Sequence, residues 1–144
     1  PVPGDYDGDG RTDLALFNDI TGHWFIKTME GKVLAWDMAW GWRGAATIPG
    51  DYDGDGLNDL AVYNRVTGRW FVKSLHGTVL AWNVAWGWGG ATPVPGDYDG
   101  DGRADLSVYN RITGQWYVRS VGGAIIEWAK PWGWISAWPV GNMP

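Results

Sequence analysis

PGDYDGDGLNDL, residues 49–60, decides how this chain is read, because it does not stand alone. PGDYDGDGRTDL occupies residues 3–14 and PGDYDGDGRADL residues 95–106, so the motif recurs at a constant offset of 46 residues. A fixed period of that size marks a repeat architecture. We therefore read 1–144 as a single repeat domain made of repeats 1–46, 47–92 and 93–138, followed by a C-terminal tail, 139–144.

Each copy of the motif carries four aspartates: Asp5, Asp7, Asp9 and Asp13, then Asp51, Asp53, Asp55 and Asp59, then Asp97, Asp99, Asp101 and Asp105. These twelve are most of the 16 acidic residues, and the rest of the chain is basic, with 11 Lys+Arg. Neighbouring carboxylates repel by about 1 kcal/mol per close pair even at the dielectric of water. A hard cation offsets this, and the spacing D-x-D-x-D-G-x-x-D suits Ca²⁺, with side-chain oxygens at loop positions 1, 3, 5 and 9 and a backbone carbonyl at 7. Those carbonyls belong to Arg11, Leu57 and Arg103, while Gly10, Gly56 and Gly102 stand where the chain turns around the ion. A solvated Asp-Gly turn is the alternative reading. Three copies in register favour metal, and we expect three structural Ca²⁺ ions. The loops are not EF-hands, because the twelfth position is Leu16, Val62 or Val108 rather than Glu, and a strand rather than a helix follows.

Within the middle repeat, residues 60–63 form a short apolar run, 64–68 (NRVTG) a turn, and 69–74 (RWFVKS) a second strand. His76-Gly77 reads as a hairpin turn, a third strand starts near Thr78, and residues 92–95 (TPVP) can supply a short fourth. Four short strands per repeat make a blade-like meander. Leu80, Trp82, Val84, Trp86 and Trp88 alternate along the third strand, as do Leu34 to Trp42 and Ile126 to Trp134. Extended chain would place all of them on one face, with a bulge at Gly87 as the expected point of disruption.

The remaining composition narrows the function. A net charge of −5 argues against nucleic acid, and no Cys is available for a disulfide, a thiolate metal site or catalysis. No apolar run approaches the roughly 20 residues of a membrane-spanning helix. We do not expect an enzyme: His23 and His76 occupy different places in their repeats, and no catalytic constellation is left once the loop aspartates are assigned to metal. The start at Pro1, without initiator Met or signal peptide, suggests a mature form or a fragment of something longer.

The succession PVPGDYDGDG, DLAVY, TGRW and TPVPGDYDGDG resembles the bacterial FG-GAP/VCBS repeat and is similar to the calcium-binding blades of integrin-type β-propellers. The resemblance spans nearly the whole chain. It implies an all-β fold of three four-stranded propeller-type blades of 46 residues, each with one Ca²⁺ in the loop joining its first two strands. It also implies core roles for Trp24, Trp70 and Trp116 and for Trp40, Trp86 and Trp132, whereas Trp36, Trp82, Trp128, Trp42, Trp88 and Trp134 look additional. Propellers usually close with four to eight blades. A fragment of a longer propeller, a self-associating half-propeller completed by a second chain, and a closed three-fold fold such as a β-trefoil are the three readings of a count of three. The tail is expected to complete a sheet, either that of its own first blade or a neighbour's.

The expected function is non-catalytic, extracellular recognition or adhesion, with carbohydrate or a cell-surface glycan as partner. Flat indole faces stack on sugar rings, and Trp42, Trp88, Trp134 and Trp138 are the candidate ligand-binding residues. The competing account of these tryptophans is that they fill the space between blades. The alternative function is a structural subunit that self-associates into a ring or filament through its Trp-rich faces.

Overall fold

Turn chemistry decides where the strands start and stop. In each repeat an Asn side chain ends the first long strand: Asn64 Oδ1 accepts the N–H groups of Val66 (2.9 Å) and Thr67 (3.0 Å), and Asn18 and Asn110 do the same in their repeats. The computed structural model describes residues 1–140. Its strands are β1 (Leu14–Asn18), β2 (His23–Lys27), β3 (Val33–Ala39), β4 (Ala46–Thr47), β5 (Leu60–Asn64), β6 (Arg69–Lys73), β7 (Val79–Ala85), β8 (Thr92–Pro93), β9 (Leu106–Asn110), β10 (Gln115–Arg119) and β11 (Ile125–Pro131). None of the described residues forms a helix long and apolar enough to cross a membrane.

The strands make three separate antiparallel sheets, ordered β1-β2-β3, β4-β5-β6-β7 and β8-β9-β10-β11. Hydrogen bonding between strands stays within each sheet, unlike a β-trefoil, whose barrel pairs strands from different repeats. The two-residue strand before each Asp-rich loop pairs with the strand after that loop, Thr47 with Val62 and Pro93 with Val108. One expectation is corrected here: the first sheet has three strands, not four. The position matching Ala46 falls just before Pro1, and only the Val2 N–H bond to the Ala15 carbonyl (2.8 Å) remains of the short strand. At the other end, Pro139 and Val140 form no strand, and the rest of the tail, 141–144, lies outside the described residues.

A second correction concerns the third strands. The register pairs Trp70 with Val84 but Val72 with Ala81, so β7 holds one residue more than β6 over this span. The extra residue is Asn83, at φ 56°, four residues before the expected bulge; Asp37 (φ 56°) and Ala129 (φ 54°) do the same in the other sheets. A bulge of this kind turns all later side chains over. The alternating tryptophans therefore divide between two faces. Trp82 packs edge-on to Phe71 and meets Trp40 of the preceding sheet (5.7 Å), whereas Trp86 meets Trp128 of the following sheet (5.8 Å).

Stacking of the sheets buries two cores. Trp24, Ile26 and Ala15 of the first sheet pack against Leu60 and Val62 of the second, and Tyr63, Trp70 and Val72 of the second against Leu106 and Val108 of the third. Two of the buried indoles are satisfied, Trp24 Nε1 donating to the Trp40 carbonyl (2.7 Å) and Trp70 Nε1 to that of Trp86 (2.6 Å), whereas Trp40 Nε1 is buried without a partner among the described residues. The outward faces of the first and third sheets stay uncovered, leaving Leu14, Leu16, Trp132 and Trp134 exposed.

Candidate metal loops and clefts between the sheets

Every Asp-rich loop is closed by a backbone pair, the N–H of Asp13 donating to the Gly4 carbonyl (2.7 Å), of Asp59 to Gly50 (2.8 Å) and of Asp105 to Gly96 (2.8 Å). The intervening Tyr anchors the loop from below, its hydroxyl donating to the carbonyl of Val2, Ile48 or Val94. The first Asp shapes the turn. Asp51 Oδ1 accepts the N–H of Gly54 (2.6 Å) and Oδ2 that of Gly56 (2.8 Å), and Asp5 and Asp97 match it. The last Asp is buried and accepts a backbone N–H from the Tyr, as in Tyr52 to Asp59 (2.8 Å).

This folding gathers oxygens. Carboxylate atoms of Asp5, Asp7 and Asp13 lie within 4.8 Å of one another, as do those of Asp51, Asp53 and Asp59, and of Asp97, Asp99 and Asp101. The first two groups leave out Asp9 and Asp55, and the third takes Asp101 and leaves out Asp105, although Asp9, Asp55 and Asp101 alike accept the N–H two residues on, from Arg11 (2.8 Å), Leu57 (2.9 Å) and Arg103 (2.8 Å). Electrostatics fit a cation. Burial pushes the Asp59 carboxyl up to about 7, opposed by the N–H of Tyr52 and reinforced by the carboxylates of Asp53, Asp55 and Asp51. Asp13 and Asp105 are raised by burial in the same way. A donor set of hard oxygens, crowded and partly desolvated, is one that a metal ion can hold together.

The loops also touch. The Asn58 N–H donates to the Asp5 carbonyl (2.6 Å) and the Ala104 N–H to the Asp51 carbonyl (2.5 Å), so the residue that shapes one loop binds the next. The side chain of Leu57 reaches the preceding loop at Gly8, and that of Arg103 does so at Gly54.

Between the sheets the structure forms two matching clefts. One, of about 510 Å³, has Trp40, Gly41, Trp42, Asn64, Phe71 and Trp82 in its walls; the other, of about 540 Å³, has Trp86, Gly87, Trp88, Asn110, Tyr117 and Trp128. Each residue of the second stands 46 positions after its counterpart in the first. Trp42 lies edge-on to Phe71 (5.0 Å) and Trp88 to Tyr117 (5.2 Å), so two of the expected ligand-binding residues are cleft walls that also pack against the next sheet. Trp134 and Trp138 lie instead on the open face of the third sheet, beside Tyr98, Trp116 and Trp132, and the Arg111 guanidinium sits 3.5 Å over the Trp138 ring. Sequence reasoning missed the opposite wall, formed by Asn64, Phe71 and Trp82 and their counterparts. The recurrence of an aromatic residue directly after Trp70 and Trp116 was the available signal.

The family described as FG-GAP-like repeat matches residues 5–62 and, overlapping them, residues 51–108, which together exceed half the chain. Comparison with curated proteins and with solved structures finds no match.

Proposed function

We propose that this chain, which belongs to the FG-GAP-like repeat family, is a non-catalytic, calcium-stabilised recognition module of the extracellular space that binds carbohydrate in the clefts between neighbouring blades. The observation that carries the reading is the recurrence of one aromatic cleft at a 46-residue offset, with the exposed indoles of Trp82 and Trp128 on one wall and Trp42 and Trp88 on the other. Indole faces stack on the apolar faces of sugar rings. Asn64 Oδ1 is occupied by backbone N–H groups, which leaves its amide NH₂ as the donor for a sugar hydroxyl. Two equivalent weak sites on one rigid body gain through avidity.

Calcium is the ion we assign to the loops. Oxygen-only donors from carboxylates, with the carbonyls of Arg11, Leu57 and Arg103 within the same turns, suit a large hard cation, and weak loops of this class fill where calcium is plentiful. Its role is structural. The ion neutralises the carboxylates that shape each loop, and through the Asn58 and Ala104 bonds each loop holds the next sheet in place.

Tryptophan fluorescence titrated with a panel of mono- and oligosaccharides, in saturating Ca²⁺, tests the reading. A saturable change with two sites per chain, abolished in the double variant Trp82→Ala/Trp128→Ala, is expected. Silence from every sugar would sink it.

A further inference from the structure

The two uncovered faces of the stack are the two halves of the interface that the chain makes twice within itself. On the first sheet, Leu16 is 56% exposed, while its counterparts Val62 and Val108 are fully buried by the sheet before them. On the third sheet, Trp132 is 78% exposed where Trp86 is 9%, and Tyr98 is 42% exposed where Tyr6 and Tyr52 are 1%. The polar links show the same incompleteness. The pairs Asn58 to Asp5 and Ala104 to Asp51 have as their next members the Thr12 N–H at one end and the Asp97 carbonyl at the other, which make no such bond among the described residues. Lys73 lies 4.8 Å over the Trp40 ring and Arg119 5.6 Å over that of Trp86, and the corresponding pair, Lys27 and Trp132, is again divided between the two ends.

We propose that these faces dock on each other between copies, the third sheet of one chain covering the first sheet of a second copy just as neighbouring sheets stack inside the chain. Trp132 then packs beneath Lys27 of the second copy, and the Asp97 carbonyl receives the N–H of its Thr12. The occupant is a second copy, because each face has its complement in shape, polarity and charge at the far end of the same molecule. The contact is heterologous, so it closes a ring or propagates. Two chains bring together six sheets, within the four to eight of closed propellers, and a two-chain ring is the expected product. Docking also completes a further cleft of the same kind in each junction, with Trp132, Gly133 and Trp134 of one copy facing Asn18, Phe25 and Trp36 of the other, the counterparts of the walls seen inside the chain. The docking does not depend on what the clefts bind.

Sedimentation or light scattering of the 144-residue chain in Ca²⁺ tests this, with the variants Leu16→Asp and Trp132→Asp. Both positions are exposed in the single chain, so circular dichroism should show each variant folded. The expected result is twice the chain mass for the parent, the monomer mass for either variant alone, and a return to the dimer when the two variants are mixed, since one of the two junctions is then unaltered. A parent that stays monomeric overturns the proposal. So does a dimer that either variant leaves intact, which would mean that like faces pair.

Discussion

Gly68→Ala and Gly77→Ala separate two costs that are usually merged. Both glycines have positive φ, +70° and +99°, so a side chain at either carries a backbone penalty of about 1–2 kcal/mol. Their surroundings differ. A Cβ on Gly77 meets nothing within 4 Å, whereas one on Gly68 would lie 2.2 Å from the Gly87 carbonyl carbon and 2.3 Å from the Trp88 nitrogen. Carbon atoms pack at about 3.5–4.0 Å, so the 87–88 backbone must retreat by more than ~1 Å. Forced repacking of this kind costs about 1–3 kcal/mol. It also strains the bond from the Trp86 N–H to the Gly68 carbonyl (3.2 Å), a net contribution of about 1 kcal/mol. Gly68→Ala should therefore lose at least ~2 kcal/mol more than Gly77→Ala, a gap of roughly 6 °C in melting temperature for a domain of this size. Calorimetry in Ca²⁺ measures the gap. Because Gly87 and Trp88 are walls of the second cleft, Gly68→Ala should also weaken any ligand held there, while Gly77→Ala should not. Equal melting temperatures for the two variants would refute the claim that close approach, rather than turn conformation, makes the T-G glycine necessary.

Calcium at about 10 mM should stabilise the metal-free chain by about 1.4–2.7 kcal/mol per loop if the sites bind in the usual extracellular range, a gain readable as a melting shift that a chelator reverses. Asp59→Asn should remove about one loop's share of that gain yet stabilise the chain in chelator, where it deletes a buried carboxylate crowded by Asp53, Asp55 and Asp51. In chelator the folded chain should gain stability as the pH is lowered from about 8 toward 5. Asp59 keeps its proton up to about 7 when folded but has an ordinary value of 3.8, so between those values the folded state binds more protons and stability falls as pH rises. Saturating Ca²⁺ should reverse that slope, because protons then compete with the ion; melting curves across pH with and without calcium check both signs. Ala129→Gly should stabilise the third sheet by about 1 kcal/mol in urea denaturation, since Ala129 holds φ 54° without the local hydrogen bonding open to Asp37 or Asn83.

Turn positions and loop closure were legible because each depends on residues close in sequence, whereas the short strand at 92–95, read as the fourth of the middle repeat, pairs instead in the third sheet. The Asn-x-x-Thr-Gly turn, the Asp-rich loop and the 46-residue period are local signals, repeated three times. The bulge was not legible: Asp37, Asn83 and Ala129 share a left-handed conformation but no common side-chain chemistry. With it went the faces of the tryptophans, since one additional residue turns over all that follow. The membership of the metal groups was not legible either, because aspartates inside and outside those groups alike accept backbone N–H groups of their own loop, and only side-chain placement separates them.

The sequence by itself determined a three-fold repeat of strands and acidic loops, since local backbone preference and pattern are set by near neighbours. Only the tertiary structure decided what that repeat encloses. A cleft wall such as Phe71 and its facing Trp42 belong to different sheets, and their meeting depends on how one sheet's large side chains fit the next. The same fit leaves one face open at each end of the stack, because a sheet can be covered only by something that comes after or before it.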